Sequence, residues 1–73
     1  MIVKFRARYN GELWCAEAED NDIFAIGDSL PELMDNVDLA TKLHFSGRVR
    51  RGERLNIMLT NEVGAGGYQG RRR

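Results

Sequence analysis

The chain has 73 residues, a formal net charge of zero, one cysteine and one histidine. A domain of this length buries only about 60% of the surface that its unfolded chain exposes, so small cores usually need a disulfide, a metal or a second subunit. One cysteine excludes an intrachain disulfide, and one cysteine with one histidine does not complete a zinc site. We therefore expect a homodimer of single-domain chains without metal or cofactor.

The even charge balance conceals two oppositely charged segments. Residues 1–47 carry four basic and nine acidic side chains, a net charge of −5, and residues 48–73 carry seven arginines and two glutamates, a net charge of +5. This asymmetry predicts two different surfaces, or two protomers that attract each other head to tail. No apolar run reaches the roughly 18 residues of a membrane span, and no signal-peptide pattern is present, so we expect a cytoplasmic protein without a membrane partner.

Three β-strands are predicted in the first part of the chain. In residues 2–9 apolar side chains alternate with basic ones, which is typical of a half-buried strand. Asn10-Gly11 is a strong hairpin signal, because both residues accept positive φ in a type I′ turn. Further strands are predicted over 13–18 and 23–27, and together the three form an antiparallel meander.

An amphipathic helix is predicted over residues 30–45. Ser29 is a good N-cap, and Glu32 stands at the spacing of a capping box. Gly47 is predicted to end the helix as its C-cap. The apolar stripe of this helix recurs at three- and four-residue steps and consists of Leu30, Leu33, Met34, Val37, Ala40 and His44.

The remainder of the chain reads as a basic connector, a fourth strand over residues 55–60, and a tail. The tail, residues 61–73, is rich in glycine and arginine, lacks periodicity, and is expected to be flexible because it offers little apolar surface to bury. The predicted fold is α+β: one antiparallel-rich sheet in the order βββαβ, with one helix packed on one face, formed by residues 1–60.

Several acidic side chains suggest a Mg²⁺-dependent nuclease, with Asp20, Asp22 and Asp28 as its ligands. The first two lie in a predicted turn, and no second acidic cluster converges on them, so a solvated turn is the favoured interpretation. Ser29 and His44 stand at opposite ends of one helix and cannot act as nucleophile and base. We therefore predict no catalytic residues and no enzymatic activity.

The basic connector has two interpretations. Its arginines suit contacts with nucleic-acid phosphates, but the sequence has no motif that would read bases. Non-specific contact and simple solubility both fit the composition. The residues concerned are Arg48, Arg50, Arg51 and Arg54.

Two stretches in order, "GELWCAEAED" and "AIGDSLPELMDNVDLA", resemble the N-terminal domain of HicB-type antitoxins and their small HicB-like relatives. The resemblance covers residues 2–45, and the strand at 55–60 fits the same order of elements. It implies a degraded ribonuclease-H-like fold without catalytic residues. It also implies a HicA-like partner, a small basic toxin that cleaves RNA and is masked by this domain.

An acidic surface would compete with RNA for such a toxin. The leading hypothesis is thus a non-catalytic protein-binding module, and the alternative is a small nucleic-acid-binding protein that uses the arginine-rich segment. Trp14 fits a core position and an interface anchor equally well. The predicted partner-binding residues are Trp14, Glu17, Glu19, Asp20 and Asp22.

Overall fold

A computed structural model describes residues 1–61 and confirms the α+β class. The strands form one four-stranded sheet in the order β3-β2-β1-β4, in which β1 and β3 are antiparallel to β2, and β4 is parallel to β1. From residue 62 onward, the predicted tail lies outside the described residues. The elements are β1 (Ile2–Tyr9), β2 (Trp14–Ala18), β3 (Phe24–Gly27), α1 (Leu30–His44), α2 (Ser46–Arg50) and β4 (Asn56–Asn61).

The core lies between α1 and one face of the sheet. Because strand side chains alternate between faces, Val3, Phe5 and Ala7 of β1 all point under the helix and are buried. Leu33 and Val37 of α1 are buried against the core that these side chains help to form. Complete burial of a side chain such as Phe5 or Leu33 stabilises the fold by about 1.5–3 kcal/mol.

The hairpin between β1 and β2 occurs where the sequence predicts it, but its centre is shifted by one residue. The Asn10 amide donates to the Leu13 carbonyl at 3.0 Å, so Gly11 and Glu12 are the two central residues. Gly11 has a φ of 103°, which glycine adopts without strain. The Asn10 side-chain oxygen accepts from the amides of Glu12 and Leu13, which holds the turn in place of a second backbone bond.

The predicted capping residues do begin α1. The Ser29 hydroxyl accepts from the Glu32 amide at 3.3 Å. The Glu32 carboxylate accepts from the Asp28 amide at 3.0 Å, one residue before the partner that a standard capping box uses. At the strand–helix corner, side-chain oxygens therefore accept from the amides of Asp28 and Glu32.

Gly27, the last residue of β3, lies against the backbone of α1. A Cβ atom placed on it would be 2.5 Å from the Leu33 amide nitrogen and 2.8 Å from the Leu33 Cα. The corner is therefore close-packed, and the absence of a side chain at residue 27 lets the first turn of α1 lie on the sheet.

The prediction that Gly47 ends the helix is wrong. Helix α1 ends at His44, Phe45 interrupts it, and Gly47 lies inside the short helix α2. The glycine that terminates helical structure is Gly52, with a φ of 88°. Its amide donates to the Val49 carbonyl at 2.9 Å and the next amide donates to Arg48 at 3.0 Å, which is a Schellman motif.

The buried stripe of α1 differs in part from the predicted one. Thr41 is completely buried, and its hydroxyl donates to the Val37 carbonyl at 2.7 Å. Met34 and His44, assigned to the stripe by their spacing, are exposed. The reason is the position of the helix, which packs over β3 and β2 and leaves one flank of its apolar arc uncovered.

Candidate protein interface on the open face of the sheet

The face of the sheet opposite α1 is called the open face here, because no described element covers it. Its side chains alternate along each strand with those of the core, so the strand registers determine which residues belong to the open face. The open face consists of Ile2, Lys4, Arg6 and Arg8 on β1, Cys15 and Glu17 on β2, Phe24 and Ile26 on β3, and Asn56, Met58 and Thr60 on β4.

Large apolar side chains are exposed near both edges of the open face. Phe24 is 62% exposed and Ile26 is 44% exposed on β3, while Ile2 and Met58 are exposed on the β1–β4 side. An antiparallel-rich sheet commonly leaves one face to solvent, and that face then usually carries polar side chains. Rows of exposed apolar side chains on a monomer commonly mark a binding surface. The open face therefore has the composition of an interface.

A shallow depression of about 300 Å³ crosses the β1–β2–β3 part of the open face. It is lined by Arg6 and Glu17, which are directly opposite in the β1–β2 register, and by Phe24, which is opposite Glu17 on the other side. No ion pair within 4.0 Å joins Glu17 to a cation of residues 1–61. Its carboxylate is exposed beside an aromatic ring, in a depression that Arg6 and Arg8 also line.

The predicted acidic partner residues lie along one side of the molecule. Glu17 is on the open face, and Glu19, Asp20 and Asp22 lie in the turn that leads from β2 into β3, one residue before Phe24. The turn is held to β1 because the Glu19 amide donates to the Lys4 carbonyl at 2.9 Å. These four acids and the apolar β3 side chains form what we call the β2–β3 surface: Glu17, Glu19, Asp20, Asp22, Phe24 and Ile26.

Trp14 does not belong to the β2–β3 surface. It begins β2, at the far end from the acidic turn, and its side chain packs partly buried against the core. Its ring centroid lies 5.5 Å from that of Tyr9 in a tilted arrangement. The structure thus separates Trp14 from the acidic residues with which it was grouped.

The three carboxylates of the nuclease hypothesis do not converge. Asp20 and Asp22 precede β3 and Asp28 follows it, so a strand of four residues separates them. Across residues 1–61, no group of three or more His, Cys, Asp or Glu side chains is arranged to hold a metal ion.

The four arginines of the predicted basic connector differ in what surrounds their side chains. Arg48 contacts Glu53 at 3.5 Å, the Met1 sulfur at 3.1 Å and the Phe45 ring at 5.8 Å from its centroid. These contacts tie α2 to the start of the chain. The remaining three are exposed and form no ion pair with any acid in the described part of the chain: Arg50, Arg51 and Arg54.

Sequence reasoning did not single out Arg6, Phe24 or Ile26 on the open face. Arg6 and Arg8 were identified only as the solvent side of an alternating strand. The available signal is in β3, "FAIG", where Phe24 and Ile26 occupy the positions that a solvated face would give to polar residues.

The comparisons with known proteins give no relative: no family model matches the chain, and neither a curated protein nor a solved structure is significantly similar to it. The fold and the open face therefore define only a class, a small α+β protein with a mixed four-stranded sheet covered on one side. In residues 1–61 no helix has the length and apolar character needed to cross a membrane.

Proposed function

We propose that this chain is a non-catalytic protein-binding module of the HicB-antitoxin type, and that its β2–β3 surface binds and masks a small basic toxin that cleaves RNA. The observation that carries the proposal is the exposure of Phe24 and Ile26 on a sheet face, next to Glu17 and the acidic turn. The βββαβ order of the strands and α1 supports the resemblance on which the choice of toxin rests.

The chemistry of the β2–β3 surface suits a basic target. Exposed aromatic side chains are frequent anchors at interface centres, where they fill a pocket and exclude water. Carboxylates around such an anchor attract a positively charged partner, raise the association rate and disfavour acidic competitors. Since a toxin that grips RNA phosphates is itself basic, the same surface would occupy its RNA-binding groove.

The test is co-purification of this chain with a small basic ribonuclease encoded by the neighbouring gene, followed by an RNA-cleavage assay. We expect a stable complex and inhibited cleavage. Phe24→Ser removes the anchor and weakens binding at least about tenfold, the equivalent of about 1.4 kcal/mol. Leu43→Ser is the matched control, because Leu43 is an apolar side chain, 67% exposed, on α1 rather than on the sheet.

The charges provide a second measurement on the same complex. Asp20→Lys with Asp22→Lys should slow association and reduce its dependence on salt, while dissociation changes less. Undiminished RNA cleavage in the presence of excess chain would refute the masking role. Equal loss of binding in Phe24→Ser and Leu43→Ser would refute the assignment of the surface.

A second candidate function is non-specific binding of nucleic acid, and the exposure of Arg50, Arg51 and Arg54 favours it. Their guanidinium groups are free of ion pairs with the acids of residues 1–61 and suit phosphate contacts. Binding to a fluorescent RNA should then fall steeply between low and high salt and weaken in the triple alanine variant. Binding that persists at high salt, or none at low salt, would exclude this function.

A further inference from the structure

The two edges of the sheet are protected to different extents. Edge strand β3 has only four residues, and the Asn36 side chain from α1 donates to its Ile26 carbonyl at 2.7 Å. Edge strand β4 has six residues and pairs with β1 on one side only. Its sequence, "NIMLTN", contains none of the charges or prolines by which natural edge strands avoid pairing with another chain.

An apolar groove runs beside this unprotected edge. It has a volume of about 200 Å³ and lies between α1 and β4. Met34 and Val37 line it from the helix, Ile57 and Leu59 from the strand, and Asp38 at the rim is paired with Lys42 at 2.9 Å. Because α1 sits over β3 and β2, the β4 end of the core is only partly covered, and Ile57 and Leu59 remain half-buried.

We propose that a second copy of this chain covers this edge, with β4 pairing antiparallel to the partner's β4 about a two-fold axis through Met58. The two sheets then join into one sheet of eight strands, with both α1 helices on the same side. This inference is independent of the proposed function, since it uses the opposite edge of the sheet.

The sequence of β4 is self-complementary in this register. Residues directly opposite each other in an antiparallel pair lie on the same face, so a symmetric pairing must be centred on a residue. Centred on Met58, the pairing sets Ile57 opposite the partner's Leu59 in the groove. On the open face it sets Asn56 opposite the partner's Thr60, and Met58 opposite its own copy. Residues 56–60 thus each meet a partner residue of matching polarity, while Asn61 falls opposite the partner's Leu55, just before the start of its β4.

The size of the contact predicts a weak dimer. Five residues of β4, 56–60, pair with the partner's β4 over about 17 Å, and a sheet with one helix layer is roughly 20 Å high, which gives about 340 Å² of contact per copy. The total of about 700 Å² is below the roughly 1,200 Å² at which stable interfaces begin. We therefore expect a dissociation constant of the dimer in the micromolar range. Measuring it requires chain concentrations from about 1 μM to about 1 mM.

The experiment is sedimentation equilibrium of the full chain over that concentration range. The wild-type chain should shift from monomer to dimer as concentration rises. Met58→Lys places two like charges on the axis and should give a monomer at every concentration. Ile26→Lys is the matched control, because Ile26 is also an exposed apolar residue of the open face on an edge strand, and this variant should still dimerise.

Two double variants test the register itself. Asn56→Lys with Thr60→Lys sets like charges opposite each other and should weaken the dimer at least about tenfold, whereas Asn56→Lys with Thr60→Glu sets opposite charges there and should dimerise at least as tightly as the wild type. A wild-type chain that stays monomeric at about 1 mM would overturn the proposal. So would a dimer that persists in Met58→Lys and is lost in Ile26→Lys, since that result places the contact at β3. Equal dimerisation of the two double variants would refute the register.

Discussion

Gly27 is the residue at which a single methyl group should disturb this fold most. Gly27→Ala places a Cβ atom 2.5 Å from the Leu33 amide nitrogen and 2.8 Å from its Cα, and 3.1 Å from the Glu32 carbonyl carbon. All three neighbours belong to the backbone of α1, so no side chain can rotate away. The first turn of the helix must retreat from the sheet to reach ordinary contact at 3.4 Å or more.

The cost of that retreat can be set against the stability of the whole chain. Overpacking by one methyl group costs about 1–3 kcal/mol, and the upper end applies here because rigid backbone must move. A domain of this length has a free energy of unfolding of about 3–10 kcal/mol. The substitution should therefore remove a third or more of the stability and lower Tm by more than about 10 °C.

Urea unfolding followed by circular dichroism measures this difference. Gly47→Ala is the matched control: its added Cβ meets nothing closer than the Arg51 guanidinium at 3.6 Å, and its position inside α2 favours alanine. That variant should gain about 0.5–1 kcal/mol. A Gly27→Ala protein within about 0.5 kcal/mol of the wild type would refute the close approach of α1 to residue 27.

Two further substitutions test the helix by urea unfolding. Ser29→Ala removes the acceptor of the Glu32 amide and should lower the free energy of unfolding by about 1 kcal/mol; an unchanged value would show that the cap is dispensable. Leu33→Ala leaves a cavity at a fully buried position and should cost about 2–5 kcal/mol. Leu43→Ala, at an exposed position of the same helix, should stay within about 0.5 kcal/mol of the wild type, and equal losses in both leucine variants would contradict the orientation of α1.

The candidate site could be predicted from the sequence only in part. The acidic residues of the β2–β3 surface were identified because four carboxylates stand close together along the chain. Phe24 and Ile26 were assigned to a strand but not to a surface, since their exposure depends on which face α1 covers. Trp14 was grouped with the acids as a candidate interface anchor, whereas alternation and strand length place it on the other face and at the other end of β2.

Local patterns determined five of the six described elements; the sixth, α2, was predicted as part of a connector. The alternation in β1, the turn residues around Gly11 and the Ser29 cap each act over two to four residues, so the sequence alone predicts four strands and a helix near their observed bounds. Only the tertiary structure decided the position of α1 over β3 and β2, because it depends on contacts between residues far apart in sequence. That position explains why residue 27 is a glycine, why Thr41 is buried instead of His44, and why β4 retains an open edge.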